Sequence, residues 1–546
     1  MLVVGSGPVG LTLAMDLAWR GIEVVVAERR EAAAPSSARC GQIAARSMEV
    51  FRRLGVADKL RAVGLPADYP NDIVSATSVT GFELSRVPIP ARGERGAAAA
   101  AGPDTAWPTP EHTHRVNQIF FDPVLQAHAA AQPHIRILNR TEVEGFRQYE
   151  QGVTATVRDL ESGERTAIEC AYLVGCDGAG SMVRKAIGAE LVGTPVVQHV
   201  QSTYLRAPGL KRLLPRKPAW NYLSLNPRRC GSTLAVDGRE TWIVHNFLYR
   251  GETDVDAVDR DASIRAILGV GGDFRYEAIS KEDWVSRRLV ADRFRDRRAF
   301  ICGDAAHVWI PHGGYGMNAG IADAANLAWK LAATLKGWAA PAVLESYDAE
   351  RQPITEQASR IITGIAQRII TQRREITGDI ERHDAVGEAT RARIGREAYA
   401  IDVEQQCCGG LNFGYYYEGS PIVAYDGERQ PAYTMGTFTS STVPGCRAPH
   451  FWLPGRRSLY DALGADYTLL RFDPATSVAG LVAAAASRRV PLAVLDVPAP
   501  EARDLYRRNL VLVRPDQHVA WRGDEEPAAP LDLIEVVRGA RSPLPV

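Results

Sequence analysis

Apolar runs along the chain alternate with glycine-rich turns in a repeated strand–turn–helix order. Leu2-Val3-Val4 is short and wholly apolar, as a strand buried on both faces is. So short a strand leads us to expect a few residues ahead of it. Gly5–Gly10 breaks the run, Leu13, Leu17 and Ala18 predict a helix that Gly21 ends, and Glu23–Ala27 predicts the next strand. The order recurs where Ala171–Cys176 turns into Asp177–Arg184. It recurs again where Ala299-Phe300-Ile301 leads through the turn Pro311–Gly316 to a helix opening at Met317-Asn318. Ile321, Ala325, Ala328 and Leu331 hold helical spacing there. Asn117-Gln118 opens a helix through Phe121, Val124, Leu125 and His128, and Arg136–Asn139 and Val153–Asp159 read as strands.

Residues 196–285 change period. Trp220–Leu225, Cys230–Val236 and Thr241–Leu248 alternate as strands of a mostly antiparallel sheet, with Trp284–Leu289 and Arg298–Cys302 following. Residues 64–115 show little period, and Ala97–Ala101 reads as a flexible loop tip. Residues 341–400, rich in Arg, Glu, Ile and Ala, predict long helices on the outside. A boundary is expected near 405–430, where Cys407–Gly410, Gly414, Gly419 and Pro421 cluster. Thr468–Phe472, Leu492–Asp496 and Asn509–Arg514 then read as strands, and Val478–Ser487 as a helix, of a compact α/β tail. The fold class is α/β: a nucleotide-binding domain interrupted by a sheet that can roof the ligand's reactive end. No internal repeat is visible.

The 546 residues, 46% hydrophobic and 23% charged, are enough for two or three soluble domains. Lys+Arg and Asp+Glu balance at 64 each, so no charge field points to nucleic acid or an acidic membrane. No 18-residue apolar run and no basic stretch before an apolar one stands at the start, so neither a membrane span nor a leader is expected. Eight cysteines without CxxC spacing predict free thiols in a reducing cytoplasm; the adjacent Cys407-Cys408 are read as unrelated small residues. No metal-ligand cluster is expected.

The chemistry lies in the turns. Strand, Gly5-Ser6-Gly7-Pro8-Val9-Gly10, helix, strand, Glu28 is the order of a dinucleotide fingerprint. Gly5 allows the tight turn, Gly7 admits a pyrophosphate, Gly10 permits close helix–strand packing, and Glu28 can accept hydrogen bonds from a ribose. Arg29, Arg30, Arg39 and Arg46 can reach the same ligand, or simply face solvent. Asp304 at a strand end, before glycines and a helix start that favours an anion, suits a flat ligand with sugar hydroxyls. An ordinary strand–loop–helix connection has the same pattern, so the three motifs must decide together.

GSGPVG with Glu28, CDGAGSMVRK and GDAAHVWIPHGGYGMNAGIADAANLAWKL together resemble the signature set of class A flavoprotein aromatic hydroxylases over roughly residues 1–360. Length and tail resemble the phenol hydroxylase and polyketide hydroxylase branch. The resemblance implies a Rossmann-like FAD-binding domain with long helices over 1–70, 100–190 and 285–400. It implies a substrate-binding sheet domain over 71–99 and 191–284, and a thioredoxin-like C-terminal domain over 430–546. That tail lacks a redox pair, since Cys446 has no partner at CxxC spacing, and packing or dimerisation is its expected role. FAD is expected on Gly5, Gly7, Pro8, Val9, Gly10 and Glu28, with Arg29, Arg39, Arg46 and Gln118 near it. Asp177, in a motif credited with both FAD and NAD(P)H contacts, joins them. Asp304 is expected at the ribityl chain, and Pro311, Gly314, Gly316, Met317 and Asn318 beneath the isoalloxazine. Tyr315 stands where Gln is common. With no second GxGxxG unit, NAD(P)H is expected to dock transiently.

The implied reaction is flavin-dependent monooxygenation. NAD(P)H reduces FAD, O2 gives a C4a-hydroperoxide, and the distal oxygen passes to a small aromatic, phenolic or polyketide-like substrate. The chain departs from the phenol hydroxylases at one position: counting back five from Arg46, where they often have Asp or His, it has Gly41. The activating base is therefore missing, and the substrate is expected either to ionise unaided or not to be a simple phenol. Candidate replacements are His245, on one strand face with Ile243 and Phe247, Tyr222, and His312 in the flavin loop. A lone strand histidine is more often structural, and His307 is read as supporting the loop. An FAD-dependent reductase or dehydrogenase of the same fold is the alternative, and a partner-docking tail a further one. A homodimer is expected.

Overall fold

The computed structural model describes residues 1–32, 34–95, 101–249, 251–497 and 500–541; of the loop tip expected at Ala97–Ala101, only Ala101 lies within them. The strands Leu2–Val4, Val24–Ala27, Ile135–Leu138, Leu173–Gly175 and Ala299–Ile301 form one parallel sheet, with Arg295–Asp296 antiparallel at its edge. Leu2–Val4 lies in the middle, between Val24–Ala27 and Leu173–Gly175. Its fully buried residues explain the absence of a polar face in the sequence. Every glycine-rich turn therefore leaves the same C-terminal edge of this sheet, which is where an open α/β sheet binds its ligand.

Two helices start at that edge, Pro8–Trp19 and the long, buried Gly316–Leu335, and they pack against each other. Gly5 has φ +102°, and a side chain there would strike the Cys176 carbonyl at 2.4 Å. A Cβ at Gly10 would come within 2.1 Å of the Gly5 carbonyl, so the turn tolerates glycine alone at both positions.

A nine-stranded sheet covers the ligand edge, running from His307–Trp309 and Trp284–Ala291 through Leu191–Arg206, Thr241–Phe247, Gly231–Ala235 and Asn221–Ser224 to Ile73–Ala76 and Glu83–Val87. Glu277–Lys281 pairs with Leu191–Arg206 to the side of this path. Only the pair Asn221–Ser224 and Ile73–Ala76 is parallel. One strand crosses an expected boundary, and two elements add detail to the expected outline. Residue 285 falls inside the strand Trp284–Ala291, which belongs to the roof sheet, as does His307–Trp309. The helix Ala385–Cys407 ends inside the stretch 405–430 where a boundary is expected, with Gly409 and Gly410 just beyond its end. Ile73–Ala76 arises where no period was visible, since it is buried on both faces.

The C-terminal unit has a four-stranded sheet, Leu492–Asp496, Tyr467–Arg471, Leu510–Val513 and Val519–Gly523, and the helices Ala479–Ser487 and Pro530–Val537 pack together beside it. All eight cysteines are free thiols. Among the described residues no helix is long and apolar enough to cross a membrane, and no group of three or more His, Cys, Asp or Glu could hold a metal ion.

Candidate active site

Two hollows join between the parallel sheet and its roof. An outer groove of about 1220 Å3 is lined by Ser6, Glu28, Arg30, Asp122 and Gln126. An inner cavity of about 400 Å3 has Asp304, Pro311, His312, Gly313, Gly314, Gly316 and Met317 as its floor. Ala38 and Glu282 line both, so the two form one cleft.

Glu28 is fixed at the outer end. Ser6 donates to its Oε2 from backbone N and from Oγ, each at 2.8 Å, while Arg30 donates to Oε1 from N at 2.9 Å and Nε at 3.1 Å. Burial works to raise this carboxyl's pKa, but the donors from Arg30 and Ser6 outweigh it and hold it below the ordinary glutamate value. The carboxylate is charged at neutral pH and keeps lone pairs free toward the groove. Gly7 has open space around its Cα, and neither the helix Pro8–Trp19 nor Gly316–Leu335 has a side-chain cap. The first N–H groups of both helices are thus left without a side-chain partner, and Ser6 just ahead of the first helix and Gly316 and Met317 at the start of the second line the cleft.

No hydrogen-bond donor among the described residues reaches the Asp304 carboxylate, which lies at the cavity floor. Burial raises its pKa, with His307 and Arg39 opposing. Behind the floor, Asp323 accepts from His307 Nε2 at 2.7 Å, Arg351 Nε at 2.8 Å and Gly303 N at 3.2 Å, which anchors the strand-end turn. Asn318 ties the floor loop to the first domain: its Oδ1 accepts from Ala44 N at 2.8 Å and its Nδ2 donates to Gly314 O at 2.6 Å. Gln42, on the same segment as Ala44, donates to the Gly313 carbonyl. Tyr315 turns out of the cavity, and its hydroxyl donates to the Leu411 carbonyl.

An acidic group for sugar hydroxyls, two free helix starts, and an open floor of glycines beneath an apolar roof fit FAD from adenosine to ring.

Several expected contacts are not where the sequence suggested. Arg46 is turned away from the cleft: its guanidinium donates to Glu49 Oε2 at 2.7 Å, Asp516 O at 2.8 Å and Gln517, tying the C-terminal unit to the helix Ala45–Arg53. Asp177 spends both carboxylate oxygens on Ser181 Oγ at 2.6 Å and on the N–H groups of Met182 and Val183, capping the short helix Met182–Ala186. Gln118 donates to Asp122 at 2.9 Å along its own helix. Arg29 is exposed, whereas Arg39 lines the inner cavity and pairs with Glu282 at 3.3 Å.

Tyr222 lies on the far face of its strand. It is fully buried beside Trp242 and accepts a hydrogen bond from Ala219 N at 2.8 Å, while its neighbours Asn221 and Leu223 line the cavity. Ile243, His245 and Phe247 share the cavity face. Burial lowers the pKa of His245 to about 4, and its Nδ1 has no partner; its ring meets the edge of Trp284 at 5.9 Å. His312 also lines the cavity, held by Gln405 at 3.0 Å, with burial and then Arg373 lowering its pKa to about 3. Both rings are neutral at pH 7 and too weakly basic to drive a phenol's ionisation. At Gly41 a Cβ would come within 2.9 Å of Trp220 Cζ2 and 3.2 Å of Leu234 Cδ2, so the roof itself fills the place of the absent base.

The back wall was missed. Ile369, Gln372 and Arg373 from the helix Ala342–Arg374, and Ile401, Asp402 and Gln405 from Ala385–Cys407, close the cavity. The available signal was the apolar spacing Ile362, Ile365, Ile369 and Ile394, Ala398, Ile401, which marks buried helix faces inside a charged stretch.

Residues 1–361 match the family model described as an FAD binding domain, and residues 441–539 that of the aromatic-ring hydroxylase C-terminal domain. The FAD-dependent monooxygenase apdD of Emericella nidulans is 30% identical, over 96% of this chain and 87% of that protein. The structure of chromopyrrolic acid-soaked RebC with bound 7-carboxy-K252c is 35% identical with a TM-score of 0.90, covering 99% of this chain and 98% of that one. The flavin-dependent monooxygenase PieE in complex with FAD and substrate is 28% identical with a TM-score of 0.83, covering 98% and 97%.

Proposed function

Because the chain belongs to the aromatic-ring hydroxylases with an FAD-binding domain, we propose that it is a flavin-dependent monooxygenase that uses NAD(P)H and O2 to hydroxylate a phenolic, polycyclic aromatic substrate. The observation that carries this reading is the inner cavity: a largely apolar chamber whose floor is the flavin-loop motif and whose roof is a sheet. Relatives named for polyketide and phenol substrates support the substrate class.

In this reading Gly5, Gly7, Pro8, Val9 and Gly10 carry the pyrophosphate at a helix start, Glu28 with Ser6 takes the ribose, and Asp304 takes the ribityl hydroxyls. Pro311, Gly314, Gly316, Met317 and Asn318 support the ring. When bound, FAD supplies the hydride acceptance and oxygen activation that no side chain offers. Trp220, Leu223, Leu234, Ile243 and Phe247 exclude water and orient the aromatic ring, which protects oxygen transfer from wasteful side reactions. A homodimer in the cytoplasm is the finer reading; the free thiols suit a reducing compartment.

The test is FAD titration of the purified chain, followed by an oxygen-electrode assay with NADH or NADPH. A yellow protein whose O2 uptake rises on adding 2-naphthol supports the proposal. FAD uptake with NAD(P)H oxidation that ignores every phenol would favour the reductase alternative.

A further inference from the structure

The back wall brings one carboxylate into the substrate chamber. Asp402, on the helix Ala385–Cys407, is only 3% exposed, and its Oδ2 accepts a 2.7 Å hydrogen bond from Ser75 Oγ on the strand Ile73–Ala76. No cation among the described residues bonds to it. Arg373 on the neighbouring helix is the charged group that acts on it, and that guanidinium rests on the Phe247 ring instead. A buried carboxylate without a salt bridge costs stability, and such sites concentrate where chemistry is done.

Three further observations converge. Gly41, which lines the same cavity, offers no proton acceptor, and Trp220 closes the space beside it. The two cavity histidines, His245 and His312, are held neutral. Ser75 fixes one Asp402 oxygen and leaves the other for a ligand in the cavity that both residues line.

We propose that Asp402 is the general base of the hydroxylation, accepting the proton of a phenolic substrate hydroxyl, and that Ser75 is the positioning residue that aims it. This rests on the monooxygenase reading above. In the step the phenol O–H bond breaks, its electron pair stays on the oxygen and enriches the ring, and the proton bonds to the free Asp402 oxygen, leaving to solvent after product release. Burial pushes the Asp402 pKa up to about 7, against the lowering effects of Ser75 and Arg373, which is the range in which a general base works best near neutrality.

The experiment compares FAD-loaded wild type, Asp402→Asn, Asp402→Glu and Ser75→Ala. Each is assayed with 1-naphthol, 2-naphthol and alizarin for 18O-labelled product across pH, while bleaching of the flavin by NAD(P)H reports the flavin site separately. Wild type should show a rising limb centred near pH 7. Asp402→Asn should lose that limb and make product on the order of 10²-fold more slowly. Asp402→Glu should restore part of the limb, and Ser75→Ala should move it to higher pH. A limb that persists unchanged in Asp402→Asn, or that Ser75→Ala leaves in place, overturns the assignment. Labelled product from none of the three phenols, with the flavin still bleached, overturns the phenolic class and with it the base. Failure of wild type to take up FAD would instead sink the preceding reading.

Discussion

The guanidinium of Arg373 lies 3.8 Å from the centre of the Phe247 ring, and its Nε and Nη1 have no hydrogen-bond partner among the described residues. Burial lowers its pKa to about 10, so it remains a cation at pH 7. Its charge favours the ionised form of Asp402. Arg373→Met removes that influence while keeping much of the packing on Phe247. The pH limb of product formation should move upward, with flavin reduction by NAD(P)H as the control. A limb that moves down would show that the two groups do not interact as the structure places them.

Asp402 also leaves a mark on stability. Its pKa is raised from 3.8 to about 7, so the folded protein binds more protons than the unfolded chain between those values. Stability should fall as pH rises through that window, with the full penalty present above about pH 7. At about 1.4 kcal/mol per pKa unit the penalty is on the order of 4 kcal/mol. Asp402→Asn removes it, so the variant should melt higher than wild type at pH 8 and nearly with it at pH 4. Differential scanning calorimetry at the two pH values reads this directly.

Restoring an acid at the family position should not restore a base. A Cβ at residue 41 meets Trp220 at 2.9 Å and Leu234 at 3.2 Å. Gly41→Asp should therefore cost about 1–3 kcal/mol in overpacking. It should also fail to rescue the pH limb when combined with Asp402→Asn. Chemical denaturation and the same product assay check both halves.

Arg46 and Glu28 make opposite predictions. Arg46→Met leaves Glu49 without one of its buried partners, takes one donor from the Asp516 carbonyl and removes the donor of the Gln517 amide oxygen, which for a broken buried pair costs about 3–5 kcal/mol. Its effect should appear in melting temperature, with FAD affinity at 25 °C little changed. Glu28→Ala should do the reverse, weakening FAD binding in a fluorescence titration more than it lowers the melting temperature.

These contrasts show what was readable in the chain and what was not. The strand–turn–helix units were legible because glycine position, apolar run and acidic residue are local features, and the structure gathers their turns at one sheet edge. Alternation along Thr241–Phe247 placed His245 on the cavity face. It could not place Tyr222, because Asn221–Ser224 is buried on both sides and offers no polar face to set the parity. Arg46 was misread because its partners, Asp516 and Gln517, lie 470 and 471 residues away. The back wall was hidden for a similar reason: Arg373 and Asp402 sit in helices whose charged composition resembles a solvated surface, and only tertiary packing turns one face of each inward.

Mass spectrometry of the product formed under 18O2 tests the central claim most directly. FAD-loaded protein, NAD(P)H and a phenolic polycycle should yield product carrying one labelled oxygen atom. Unlabelled substrate recovered intact while NAD(P)H is consumed, or a protein that remains colourless in excess FAD, would contradict it.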